Sequence, residues 1–212
     1  PKTADEAVDW LTKRAPEVAT TQPWFMTVNF VNPHDVMFFD TDGEETVQAK
    51  SMFPIFDAPD APPYQQKWQT ALPGSFFDDL DGQPPAVRSY KGLCDVYYGP
   101  IPMDRRDMWH NHVNYYLNCH LDVDRHIGAV LDALEASGQA DDTIIIFTSD
   151  HGEMGGAHHL RQKGSVAFRE SVNVPLVIVD PRHPGGGRTD AVGSHLDLVP
   201  TILAYAGLPE AQ

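Results

Sequence analysis

Residues 143–163 read TIIIFTSDHGEMGGAHHLRQK: an apolar run empties into an Asp-His-Gly turn, and two more histidines and a lysine follow shortly after. Thr143, Ile144, Ile145, Ile146 and Phe147 are too few for a helix and too uniformly apolar for a strand with one wet face. The run therefore predicts a central parallel strand covered on both sides. Ligand groups in such sheets gather just beyond the carboxyl ends of strands, where Asp150 and His151 fall. Neighbouring residues on a regular strand point to opposite faces, so these two reach one ion only where the strand has already turned. Gly152 supplies that exit through its tolerance of positive φ.

Asp150 offers a hard anionic oxygen and His151 a neutral nitrogen, a pair that suits a divalent cation without naming it; zinc, manganese and calcium all stay open. The competing structural reading has Asp150 capping the following segment and His151 packing against a loop. Lys163 lies in a loop ahead of a helical-looking segment, 165–172, and a second buried strand, 174–179, is closed by Asp180-Pro181. A lysine held near a metal is ready to bind a multiply charged anion. His158 and His159 add donors or proton carriers, though most of the 10 histidines must be ordinary surface or packing residues.

Residues 24–31, WFMTVNFV, predict another strand that runs into Asn32-Pro33-His34-Asp35. Pro33 holds its predecessor extended and stiffens the turn, projecting His34 from the sheet edge. The structural alternative is that His34 and Asp35 hydrogen-bond the turn.

With these segments in view, the chain resembles the sulfatases of the alkaline phosphatase superfamily. TSDHGEMGGAHHLRQKG followed by ESVNVPLVIVDPR looks like their metal-binding turn, sulfate-binding lysine and next core strand. NFVNPHD and SHLDLVPTILAYAGLP look like sulfatase stretches in the same order. The resemblance implies a three-layer α/β/α domain with a mainly parallel central sheet, alkaline phosphatase-like and incomplete. It makes Asp150 and His151 metal ligands, with calcium the implied ion, and Lys163 the contact to sulfate oxygens. His34 would face the ester and its leaving group, and His158, at the position of a histidine often seen in this block of the family, is a further substrate-binding candidate. His195 and Asp197 match a structural segment.

In the family, two further parts of the pattern lie upstream of the NPHD-like segment. Sulfatases convert a Cys or Ser within Cys/Ser-x-Pro/Ala-x-Arg to formylglycine, and an early acidic pair completes their metal site. Here Cys94 is followed by Asp-Val-Tyr-Tyr and Cys119 by His-Leu-Asp-Val. The expectation is a later portion of a sulfatase catalytic domain, spanning 1–212, with the formylglycine upstream of it, the substrate a small-molecule sulfate ester, and the chain inactive alone. A phosphodiesterase or phosphonate monoester hydrolase of the same superfamily suits the GGAHHL and VDPR segments as well. A noncatalytic binding domain that keeps the fold is the third reading, which an upstream sequence without a nucleophile motif would favour.

The rest of the chain frames these segments. A content of 42% hydrophobic residues over 212 positions is enough for one core. A net charge of −15 argues against nucleic acid, which needs a basic face, and requires the metal and Lys163 to reverse the field locally for an anionic ester. Two unrelated cysteines define no disulfide framework, and no apolar run is long enough to cross a membrane. Thr3-Ala4-Asp5-Glu6 predicts a capping box for a short helix that ends before Pro16, with Ala7, Val8, Trp10 and Leu11 on its apolar side. Residues 38–104 predict a long irregular excursion whose Trp68, Phe76, Phe77, Tyr97 and Tyr98 either line a pocket or anchor it to the core. Asp40, Asp42, Glu44 and Glu45 predict a solvated acidic face. From 105 to 137 apolar residues recur at three and four, predicting a helix that packs on the sheet and stops at Gly138. A second helix follows over 196–206, with Gly207 as its stop.

Overall fold

The computed structural model describes residues 2–42, 53–164 and 166–208. They divide into two units, each with its own packing: Pro1–Asp142 with His151–Asn173, and Thr143–Asp150 with Val174–Gln212.

The larger unit is organised by α4, a 31-residue helix at Arg106–Ala136, as the periodicity predicts. It buries Met108, Trp109, His112, Tyr115, Asn118 and Cys119, which recur at helical spacing. Gly138, at φ 74°, ends it, donating its N–H to Glu135 O at 2.9 Å. Helix α1 (Lys2–Lys13) packs on α4 and buries Ala4, Ala7 and Leu11; burying one leucine contributes about 2 kcal/mol. Because α1 already includes Thr3, that residue is not its cap. Pro16 does not follow a terminus either. It sits in the first turn of α2 (Ala15–Ala19), where a missing N–H costs nothing. Residues 24–31 alternate between half-buried and exposed but form no helix and pair in no ladder among the described residues.

The excursion carries more regular structure than its composition predicts. Helix α3 (Pro85–Tyr98) starts at a proline, buries Tyr90 and Cys94 one turn apart, and ends at Gly99 with φ 75°. Phe76, 1% exposed, packs edge-on against Trp109 with ring centres 5.5 Å apart. It is an anchor, whereas Phe77 and Tyr97 are exposed. The acidic-face expectation fails at Asp40, which is 5% exposed. Its carboxylate accepts the Asp42 N–H at 3.3 Å, and its own N–H donates to Ile55 O at 2.8 Å, so it closes its own turn. Glu44 and Glu45 lie outside the described residues, as does Ser165. The helix predicted at 165–172 is the four-residue α5 (Arg169–Val172).

The smaller unit holds β1 (Ile145–Thr148) and β2 (Leu176–Val179), both where the apolar runs lie. They pair antiparallel, Ile145 opposite Val179 and Thr148 opposite Leu176, where uniform hydrophobicity predicted parallel neighbours. Apolar patterning records which faces are meant for burial and says nothing of a partner's direction. Ser194 caps the His195–Asp197 turn through a capping box with Asp197, and α6 (Leu198–Tyr205) runs on to Gly207 at φ 74°. His195 Nε2 donates to Ser149 O at 2.8 Å, a structural tie within this unit.

Candidate active site

His34 opens a 3-10 turn, His34–Phe38, whose Val36 and Met37 are each 2% exposed. Val36 packs with Tyr115 and Cys119 of α4, and Phe39 stacks on Tyr115 at 3.9 Å between ring centres. The imidazole is left outside that packing. Its Nδ1 lies 2.9 Å from Asp35 Oδ1. A carboxylate only accepts, so Nδ1 holds a proton and Nε2 is the atom available for exchange.

The loop from Gly152 to Gly164 turns back on itself. Met154 N–H donates to Gln162 O at 3.4 Å and Gly156 N–H to Leu160 O at 2.8 Å. Met154, Ala157 and Leu160 pack with Tyr90 and Cys94 of α3. Three non-glycine residues in this bend have positive φ: His158 and His159 at 54° and Gln162 at 70°. Such geometry persists only where surrounding contacts dictate it. Gly152 is not among the positive-φ glycines. A Cβ there would stand 1.9 Å from Glu170 O, and its N–H donates to Ser171 O at 2.8 Å, so glycine is needed for close backbone approach.

Lys163 follows this bend. Its Nζ donates to His34 O at 3.3 Å across 129 positions of sequence, and its carbonyl accepts from Ser171 Oγ at 3.0 Å. The turn of His34 and the loop of Lys163 therefore meet. A second tie runs beside this one: Arg161, 2% exposed, donates from its guanidinium to Met37 O at 3.2 Å and lies over the Tyr98 ring. Burial draws the Arg161 pKa down to about 10, still charged at neutral pH.

His158 stacks on Phe168 with ring centres 4.2 Å apart, and its buried Nδ1 has no hydrogen-bond partner among the described residues. Asp150 is exposed at the end of the β1 segment, with Ser149 Oγ at 3.4 Å. His151 Nδ1 is 2.9 Å from Gly152 O. A carbonyl only accepts, so Nδ1 carries the proton and the neutral ring's lone pair is on Nε2, the tautomer of a metal-ligating histidine. An imidazole in this state can serve as one ligand of a divalent cation, and an exposed carboxylate is chemically suited to be another. Among the described residues no group of three His, Cys, Asp or Glu is gathered closely enough to complete a site.

Sequence reasoning passed over Glu153, Arg161 and Gln162. Their signal was thin: charged and amide residues amid the apolar positions of one bend, a pattern that also describes an exposed loop.

The chain is thus a mixed helix-and-sheet fold in which the turn of His34 meets the loop of Lys163. The chain belongs to the sulfatase family, whose model matches residues 2–208. It is 28% identical over 223 residues to the uncharacterized sulfatase YidJ of Escherichia coli, covering 99% of this chain and 36% of that protein. Identity reaches 43% over 90 residues, 41% of this chain and 17% of the other, with the multifunctional alkaline phosphatase superfamily protein PehA of Trinickia caryophylli. The crystal structure of the phosphonate monoester hydrolase of Agrobacterium radiobacter matches 99% of this chain and 39% of its own at TM-score 0.71 and 28% identity. The fold is thus the alkaline phosphatase-like α/β fold of these enzymes, and the chain spans well under half the length of the relatives it matches.

Proposed function

We propose that the full-length protein is a sulfatase-type hydrolase that cleaves small-molecule sulfate esters by a metal-assisted formylglycine mechanism. This chain supplies Lys163, His34, Asp150 and His151 to it. The observation that carries the reading is the 3.3 Å contact between Lys163 Nζ and His34 O, which joins two motifs of the family pattern in one place.

Lys163 binds the nonbridging sulfate oxygens, a positioned charge that gains strength as charge develops in the transition state. His34, with Nδ1 held by the Asp35 carboxylate, carries at Nε2 the proton that the departing alcohol or phenol takes up. His158, stacked on Phe168, borders the substrate as a binding residue. Asp150 and His151 would contribute ligands to a divalent cation, which would supply Lewis-acid charge to the reaction. The carboxylate suits calcium or manganese, whereas the imidazole suits zinc better. Neither cysteine fits the nucleophile's precursor: Cys94 and Cys119 are 3% and 1% exposed, lack the motif, and have thiols pushed above the ordinary range by burial. On this reading the formylglycine lies upstream, as in the family pattern, and the 212-residue chain alone is expected to be inactive.

The test is turnover of an aryl sulfate and an aryl phosphonate by the full-length protein. Lys163→Ala is expected to lower kcat/KM for the sulfate on the order of 100-fold or more, and His34→Ala is expected to cost most with the poorest leaving group. Turnover of the sulfate that survives Lys163→Ala intact overturns the reading. The 28% identity to a phosphonate monoester hydrolase over 99% of the chain favours a second reading, phosphonate or phosphodiester hydrolysis at the same groups. A preference for the phosphorus ester selects it.

A further inference from the structure

Lys163 has little structure of its own. It sits outside any helix or strand, directly after a residue with φ 70°, and a four-carbon side chain on such a backbone would sample many positions. What holds its backbone is a chain of buried polar groups that begins at Glu153, whose side chain is 6% exposed. Glu153 Oε1 accepts the backbone N–H of Gln162, the residue before Lys163, and that of Gly155 at 3.3 Å. Gln162 Oε1 in turn accepts the N–H of Gly164, the residue after Lys163, at 2.6 Å, and also the Tyr90 O–H. Burial pushes the Tyr90 phenol well above its ordinary 10.0, so it remains a donor. A Cβ on Gly164 would stand 2.0 Å from Tyr90 Cζ, which shows how closely the ring approaches the backbone there. Both neighbours of Lys163 are thus fixed, one through the Glu153 carboxylate and one through the Gln162 amide. Among the described residues Glu153 is also faced by the fully buried His112 of α4, whose Nε2 lies 3.8 Å from Glu153 Oε1, and it interacts with the Arg161 guanidinium and with the Tyr90, Cys94, Tyr98 and Tyr116 side chains.

We infer that Glu153 is a positioning residue for Lys163, acting through the backbone and side chain of Gln162 with Tyr90 as its brace. This inference rests on the proposed role of Lys163 in binding the ester's anionic oxygens. Glu153 touches no substrate. It sets where the ammonium stands, and a displacement of about 1 Å from productive geometry costs on the order of 100-fold in rate.

The experiment is a double-mutant cycle in the full-length protein, read both as kcat/KM for an aryl sulfate and as binding of inorganic sulfate by calorimetry. Glu153→Ala is expected to lower kcat/KM on the order of 100-fold and to weaken sulfate binding. Glu153→Gln keeps an oxygen acceptor for the Gln162 N–H and is expected to restore most of both. In the Lys163→Ala background Glu153→Ala is expected to change neither further, because there is no ammonium left to place. A merely structural Glu153 would give the same loss in both backgrounds, and that result overturns the inference. Should Glu153→Ala fail to fold, Tyr90→Phe replaces it in the same cycle, since it removes one O–H and keeps the ring; equal losses with and without Lys163 again overturn the inference. If Lys163→Ala abolishes turnover while the cycle is additive, only the positioning role falls. If Lys163→Ala leaves turnover and sulfate binding intact, the proposed function falls and takes the positioning role with it.

Discussion

His159 shows how one residue in this bend ties conformation to protonation. At φ 54° it has a backbone that L side chains rarely adopt, and its ring packs edge-on against Phe76 with centres 4.8 Å apart. Its buried Nε2 has no hydrogen-bond partner among the described residues. Burial, the Lys91 ammonium and His158 hold its pKa below the ordinary 6.5. The unfolded chain therefore takes up this proton first as pH falls. The packed neutral ring contributes fully to stability above 6.5, and that contribution is lost as pH drops through 6.5 toward the folded-state value. Asn tolerates positive φ and does not titrate, so His159→Asn is expected to flatten the fall in urea midpoint of the full-length protein between neutral and mildly acidic pH. An unchanged slope would assign the pH dependence to other groups. None of this was legible in the sequence, where His159 is one of two adjacent histidines after GGA. Its conformation is dictated by Phe76, a residue more than eighty positions earlier in the chain. What the sequence does display is that Asp150 and His151 follow an apolar run that exits at Gly152 and that His34 follows one that exits at Pro33, whereas Lys163 stands out through the family resemblance.

At the scale of elements, α4 does two jobs that its periodicity only half reveals. The apolar positions announced the helix and Gly138 announced its end. The polar positions Asn114 and Asn118, one turn apart, turn out to pin the strip at 64–68, the end of the 3-10 turn Pro62–Gln65 and the residues that follow it. Asn118, 4% exposed, donates to Tyr64 O at 3.1 Å and Gln66 O at 3.0 Å and accepts from Trp68 Nε1 at 2.6 Å. Asn114 Oδ1 accepts the Trp68 N–H at 2.5 Å. An amide is the one side chain that can donate to two carbonyls and accept an indole N–H at once. Asn118→Ala is expected to cost about 3 kcal/mol by stranding these partners, and Asn118→Asp more, because it sets a carboxylate against two carbonyl oxygens. Denaturant unfolding of the full-length protein measures both, and limited proteolysis should cut first in the released strip. A loss near zero for Asn118→Ala would mean the strip is held by its aromatics alone. Helix α3 escaped the sequence reading for a related reason: Gly92 and two tyrosines blur a face that only Tyr90 and Cys94 fully bury. Strand direction escaped because it is decided by the route between Thr148 and Leu176.

The whole molecule is uneven in how its apolar surface is covered. In the larger unit the apolar positions of α1, α3, α4 and the Lys163 bend close on one another. In the smaller unit all four residues of β2 are 39–50% exposed, and Val192, Leu196 and Val199 are 100%, 87% and 63% exposed. Single exposed hydrophobics are ordinary, but an apolar strand with both faces open is a template for association. The 212-residue chain produced alone is therefore expected to bind a hydrophobic dye strongly and to elute from a sizing column as a concentration-dependent oligomer or aggregate. The full-length protein is expected to do neither through this surface. Replacing exposed β2 positions distinguishes the source: Val177→Thr with Val179→Thr keeps strand-forming side chains while removing apolar area, and should reduce dye binding by the isolated chain while leaving its helix content unchanged. A dye-silent monomeric chain would show that the exposed strand folds over by itself and that this part of the sheet needs no further layer.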